Sequence, residues 1–205
     1  MQEGSTLAPG FYQLRRAAAY QLPPQSLYVT DTADTLRLRV PQTTTIRTLA
    51  AGDYDGLTLY QKHFDVDVFT IPFKVRPARA GIPPQLNSNF NAALYVGRRI
   101  DFYQFTNQRI TPDFQTRRLR SRGFGYGLFA GIGSSAINDL VLPARMPGFE
   151  YEGVVIDLGA AFIYDARLFN VGLAFGADHL LDSNRAYWVY QQRPWFGILF
   201  GLNLN

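Results

Sequence analysis

From His63 to the last residue the chain alternates apolar side chains with small or polar ones, in segments of roughly ten residues that end at clusters of turn formers. In the closing segment Phe196, Ile198, Phe200, Leu202 and Leu204 share one parity, while Gly197, Leu199, Gly201, Asn203 and Asn205 share the other. Successive side chains of a strand point to opposite faces, so this segment predicts a strand with one wholly apolar face. The same split separates Phe169, Val171, Leu173, Phe175 and Ala177 from Asn170, Gly172, Ala174, Gly176 and Asp178. It recurs over residues 153–164, 123–133 and 89–97, and no apolar-face position of these five strands carries a charge or an amide. The pattern predicts strands at 64–75, 88–101, 123–133, 153–164, 168–178 and 195–205.

The second face decides where the apolar one points. A sheet with one face in water usually carries Lys, Glu, Thr and Arg on that face. Here 12 of the 18 glycines lie on it, at 97, 123, 125, 127, 131, 133, 153, 159, 172, 176, 197 and 201. Glycine weakens a strand unless crowding demands a missing side chain, and the interior of a narrow closed barrel is such a place. An outward apolar band, a lumen of Gly, Asn and Asp, and strands near the ~9–11 residues that cross a bilayer describe an all-β fold, a closed antiparallel transmembrane β-barrel. Such barrels have eight or more strands, in even number. Eight are expected here, two of them from the N-terminal third, where 35–40 and 57–61 are the candidates. The chain divides accordingly into a β-rich extension over 1–62 and a barrel over 63–205. No stretch approaches 18 consecutive apolar residues, which excludes a transmembrane helix and leaves a barrel open. Tyr151, Tyr164, Tyr187, Trp188, Tyr190, Trp195, Phe102 and Tyr103 lie at or just past predicted strand ends, the positions of an interfacial aromatic belt.

The ending Trp195-Phe196-Gly197-Ile198-Leu199-Phe200-Gly201-Leu202-Asn203-Leu204-Asn205 resembles the C-terminal strand of bacterial outer-membrane barrels, with Gly197, Phe200, Leu202 and Leu204 at the spacing of that family's assembly signal. More loosely, the stretch from Phe64 to Phe69 and the stretch from Asn87 to Gly97 are similar to uncharacterised predicted outer-membrane proteins of Bacteroidota. The resemblance covers roughly residues 63–205. It implies the bacterial outer membrane as location, recognition by the barrel-assembly machinery, and a final strand that ends in the periplasm. Residues 165–167 are then a tight inner turn, and 134–152 and 179–194 are outer loops. The first residues show no basic region followed by an apolar one, so no signal peptide is expected in the chain as it stands.

Composition narrows the chemistry. Among 205 residues there is no cysteine, which excludes disulfides, thiolate zinc sites and a cysteine nucleophile. With two histidines, His63 and His179, no metal site or cofactor is expected. A formal charge of +4 argues against a nucleic-acid partner. The run Arg109, Arg117, Arg118, Arg120 and Arg122 is read as a solvated, membrane-proximal face in preference to an anion site.

Arg99, Asp157, Asn170, Asp178 and Asn203 are expected to form a polar network that plugs the lumen, because charges inside a narrow barrel pair with one another. Asp65 and Asp67 belong to the same class, with Arg37, Arg39, Arg98 and Arg99 as candidate partners. Asp178, His179 and Ser183 invite a lipid-hydrolase reading, although closeness in sequence does not supply the required hydrogen-bonded geometry. The function expected is structural or interactive and not enzymatic: a small outer-membrane barrel touching lipid and lipopolysaccharide, with loops 134–152 and 179–194 available to an external protein. The alternatives are a narrow channel on the same fold, a soluble β-sandwich or barrel binding an apolar ligand, and the lipid hydrolase.

Overall fold

A computed structural model describes residues 6–16, 26–32, 35–41, 43, 46–50, 53, 56–111, 114–142, 148, 150–165 and 170–201. The described chain is all-β. Its strands are β1 (Gly10–Arg16), β2 (Ser26–Thr32), β3 (Thr35–Arg39), β4 (Ile46–Leu49), β5 (Thr58–Arg76), β6 (Gln85–Asn87), β7 (Asn91–Thr111), β8 (Phe114–Ile137), β9 (Tyr151–Asp165), β10 (Asn170–Leu180) and β11 (Pro194–Gly201). They form one 11-stranded antiparallel sheet, and a single 3-10 turn at Ser183–Ala186 interrupts it among the described residues. Two compact units share these strands: Met1–Lys62 with Ile100–Gly123, and His63–Arg99 with Phe124–Asn205. The division at residue 62 in the sequence pattern coincides with one of these boundaries. Residues 100–123 group with the N-terminal unit; the sequence pattern places strands only up to 101 and from 123, whereas β7 runs on to Thr111 and β8 starts at Phe114.

In the first unit β1, β2, β3 and β4 make an antiparallel meander, and β1 also pairs with the start of β5. Leu27 and Val29, Leu36 and Leu38, and Leu59 are buried at alternating positions, so each short strand contributes one apolar face to a core that also holds Tyr12, Leu49, Leu57 and Phe105. Arg117 donates to both oxygens of Asp31 at 2.5 and 3.0 Å and lies 5.5 Å from the Phe105 ring centre. Asp31 also accepts from the backbone N–H of Leu7 at 2.7 Å. Arg117 is therefore a structural residue of this unit and departs from the solvated face expected of its run, whereas Arg109, Arg118, Arg120 and Arg122 are exposed.

In the second unit the pairing order β5, β7, β8, β9, β10, β11 returns to β5, closing a ring of six strands among the described residues. Eight were expected. Residues 57–61 do not supply a separate strand because they run into β5, and residues 35–39 pair with β2 and β4 instead of entering the ring. The register between β10 and β11 is regular from Asn170↔Gly201 to Ala177↔Pro194, and between β9 and β10 from Asn170↔Asp165 to Leu180↔Val155. The seam between β5 and β11 slips once: Ile198 faces Phe73 and Phe200 faces Thr70, so Leu199 alone opposes Ile71 and Pro72. Pro72 has no N–H to give the ladder, and a bulge is one of the few places in a strand where it fits.

Burial follows parity. Phe196, Ile198 and Phe200 are exposed, while Trp195, Gly197, Leu199 and Gly201 are buried. Along β9 the exposed positions are Glu152, Val154, Ile156, Leu158, Phe162 and Tyr164, and along β8 they include Phe124, Tyr126, Leu128 and Ile132. Among the described residues, all but four of the exposed large hydrophobic side chains belong to this unit, the four being Phe11, Tyr28, Ile46 and Ile110. The inward face holds Phe69, Ile71, Tyr95, Phe129, Ile163, Trp195 and Leu199 packed together. Glycine makes room for these rings. A Cβ on Gly97 falls 2.2 Å from the Tyr95 hydroxyl, and one on Gly159 falls 2.7 Å from Cζ of Phe129.

Candidate functional site

The bulge at Pro72 reverses the facing of β5. Before it Phe69 and Ile71 are buried, and after it Lys74 and Arg76 are, each only 3% exposed. Both cations thus point to the inward face of a unit whose outward face is apolar. Their counter-charges come from β9 and β10, where Asp157 and Asp178 are direct cross-strand partners and are 0% and 1% exposed. Two carboxylates opposite each other repel. Lys74 bridges them, its Nζ bonding Asp157 Oδ1 and lying 3.2 Å from Asp178 Oδ1. Arg76 completes the group by donating from Nη2 to Asp178 Oδ2 at 2.5 Å and from Nη1 to Ser135 Oγ at 3.1 Å. The second oxygen of Asp157 accepts from Asn91 Nδ2. Two cations meet two anions, so the cluster is neutral in sum and most of its lone pairs and N–H groups are matched, the condition under which buried ions persist.

Aromatic rings enclose the cluster. Lys74 Nζ lies 4.6 Å from the Trp195 ring centre, and the Arg76 guanidinium carbon lies 5.1 Å from that of Trp188 and 5.4 Å from that of Tyr190. Trp188 and Tyr190 belong to the segment after β10, which folds back onto the unit. Its Val189 N–H donates to Val141 O at 3.1 Å and its Gln192 N–H to Asp178 O at 2.8 Å. With Ile137, Val141, Leu142, Val155 and Leu180 these two rings form a second buried cluster. Trp188, Tyr190 and Trp195 therefore depart from the belt expected of them: they are buried against cations, while Tyr164 and Tyr187 are exposed.

Of the five residues expected in one lumen network, the structure brings Asp157 and Asp178 together. Arg99 and Asn170 belong elsewhere on the unit, Arg99 pairing with Asp165 and Asn170 Nδ2 donating to Asp67 Oδ2 at 2.9 Å. Asn203 lies outside the described residues, as do Leu202 and Leu204 of the assembly signal. Gly197 pairs with Lys74 on β5, a Cβ on it would meet Ile71 Cγ2 at 2.7 Å, and Phe200 is exposed. Lys74, Arg76, Asn91 and Ser135 were not singled out from sequence. Strict alternation from Phe69 puts Lys74 and Arg76 on the outward face, and only the proline inside an otherwise regular strand hinted at a bulge.

The hydrolase constellation is not assembled. Asp178 is committed to Lys74 and Arg76, and His179 Nδ1 lies 2.9 Å from Gln191 Nε2 and 3.3 Å from Gln192 Nε2. Ser183 opens the 3-10 turn. No group of three His, Asp or Glu side chains is placed to hold a metal ion among the described residues. Among the described residues no helix is long and apolar enough to cross a membrane. Comparison of the chain with family models, curated proteins and solved structures finds no match.

Proposed function

We propose that the second unit is a small closed β-barrel of the bacterial outer membrane, sealed by its own side chains, with a structural or surface-interaction role. One observation carries this reading: the strands of the unit turn a band of large apolar side chains outward, while Lys74, Arg76, Asp157 and Asp178 are buried on the inward face. A water-soluble sheet protein does the opposite, because an exposed apolar band of this extent is costly in water and an ion pair is readily solvated there. Lipid removes the first cost. The charged exposed side chains in the alternating parity, Arg98 and Glu152, fall at the ends of the unit's share of β7 and β9. β9 and β10, at 15 and 11 residues, are long enough to span the hydrocarbon layer.

The buried charge cluster and its aromatic rings support a sealed interior over a channel. Lipid and lipopolysaccharide are the partners this reading implies for the apolar band, and the barrel-assembly machinery for the closing strand. The exposed residues of loops 134–152 and 179–194 remain the surface proposed for an external protein. The test is gel mobility of the detergent-refolded protein with and without boiling, together with Leu173→Arg. A heat-dependent shift in the wild type, lost in the variant, supports the barrel. Free solubility without detergent and no shift would overturn it.

A further inference from the structure

The net charge of +4 falls wholly on the first unit, which has 11 Lys and Arg against 7 Asp and Glu, while the second unit has 9 of each. Within the first unit charge is also sorted by face. The carboxylates of its strands point inward: Asp31 accepts from Arg117, and Asp101 is buried. The outward side of the meander carries Arg15, Arg37 and Arg39, and the start of β5 adds Lys62, all exposed. Among the described residues none of these four has an ion-pair partner. A face of one sign, with no anion of its own to satisfy it, attracts the opposite charge from outside.

Aromatic and apolar side chains share that face in register. Phe11 pairs with Tyr28, Tyr28 with Arg39 and Arg39 with Ile46, one row across four strands. Phe11, Tyr28 and Ile46 are 59%, 38% and 57% exposed. Beside the row Arg37 stands between Thr30 and Thr48, and Gln13 between Ser26 and Tyr60. The Tyr60 ring lies 6.0 Å from that of Phe102, and the Arg15 guanidinium sits 4.8 Å from the Phe102 ring centre. Rings, guanidinium groups and neutral hydroxyl or amide groups thus alternate across the face, and no carboxylate occupies its described positions.

We propose that this face binds an acidic glycan, a chain of sugars bearing carboxylates. Each class of side chain on the face has its counterpart in such a chain. A guanidinium takes a carboxylate through two parallel hydrogen bonds. An exposed ring covers the apolar C–H side of a sugar. Thr, Ser and Gln side chains both donate and accept, as sugar hydroxyls do. The row from Phe11 to Ile46 crosses three interstrand steps, about 14 Å, so it meets several sugar units and not one. Nucleic acid fits less well, because its closely spaced phosphates call for dense cations and this row holds one arginine among three apolar side chains. The inference rests on the first unit alone and not on the membrane reading of the second.

Calorimetric titration of the folded full-length protein with oligogalacturonate, a neutral malto-oligosaccharide, polyglutamate and oligothymidylate tests it. Oligogalacturonate should bind at least about tenfold more tightly than each of the other three. Arg39→Glu should weaken that binding at least about tenfold, and Tyr28→Ala at least about threefold, both with the wild-type near-ultraviolet circular dichroism. Arg79→Glu makes the same change of charge at an exposed position of the second unit and should leave binding within about twofold. If Arg39→Glu fails to fold, Arg37→Glu on the same strand face should give the same loss. The proposal is overturned if oligogalacturonate does not bind at up to about 10 mM, or if the neutral chain, polyglutamate or oligothymidylate binds as well. It is equally overturned if a folded Arg39, Arg37 or Tyr28 variant binds unchanged, or if Arg79→Glu weakens binding as much as Arg39→Glu does.

Discussion

Asp157 and Asp178 stand directly opposite each other on β9 and β10, fully buried, and Lys74 from β5 bridges both carboxylates. One ammonium thus ties together two neighbouring strands and a third that reaches them through the ring. Replacing Lys74 by Met leaves two facing carboxylates with only Arg76 and Asn91 to compensate. Breaking a buried pair in this way costs about 3–5 kcal/mol, because the remaining charge stays desolvated. The urea midpoint of refolded protein should drop accordingly. Lys74→Met combined with Asp157→Asn should recover at least about 1 kcal/mol relative to Lys74→Met alone, as expected for coupled neighbours. Strict additivity would mean that the ammonium does not hold Asp157.

Leu128 and Leu158 are 69% and 58% exposed on the outward faces of β8 and β9. If lipid covers them, Leu128→Arg or Leu158→Arg should cost about 2–4 kcal/mol near the bilayer midplane and depress insertion into vesicles. In water the same changes at such exposed sites stay within about 0.5 kcal/mol. Folding in vesicles against folding in detergent-free buffer separates the two cases.

Gly97→Ala should destabilise the fold by about 1–3 kcal/mol, the range for overpacking a filled interior. The new methyl meets the Tyr95 hydroxyl at 2.2 Å and the Tyr126 carbonyl oxygen at 2.5 Å. Gly81→Ala is a useful contrast: its Cβ meets nothing within 4 Å, and its cost comes from a φ of +82° alone. Thermal unfolding of both variants, with a Gly81 variant more perturbed in local turn signals than in interior aromatic ones, distinguishes crowding from backbone strain.

Folded protein in planar bilayers should show no discrete conductance steps. The inward face is filled by Phe69, Tyr95, Phe129 and Trp195, and by an ion cluster covered by Trp188 and Tyr190. Reproducible steps from wild-type protein would show that this packing does not seal the ring and would revive the channel reading.

Much of the second unit was legible in the alternation. Parity in the regions of β8, β9, β10 and β11 assigned each side chain to a face, and the buried and exposed positions follow it, because in a regular strand facing is a local property of the backbone. The glycine-rich face likewise pointed to a crowded interior. For the candidate site, Asp157 and Asp178 could be found as charges on the face opposite the apolar one.

Their partners could not. Lys74 and Arg76 turn inward only because Leu199 on β11 opposes both Ile71 and Pro72, a slip set by pairing between segments distant in sequence. Trp188 and Tyr190 sat in an apparent loop, and their burial on Arg76 depends on the backbone contacts of Val189 with Val141 and Gln192 with Asp178. The strand count of the ring also escaped the pattern, since 57–61 reads as a short strand of its own until β5 is seen to continue through it. Sequence by itself determined an all-β chain, the approximate centres of the six strands of the second unit and which face of most of them is apolar, all consequences of the period-two backbone. Tertiary structure alone decided ring closure, the bulge, the ion cluster and its aromatic cover, because each arises where strands far apart in the chain meet and only their register says which side chains face each other.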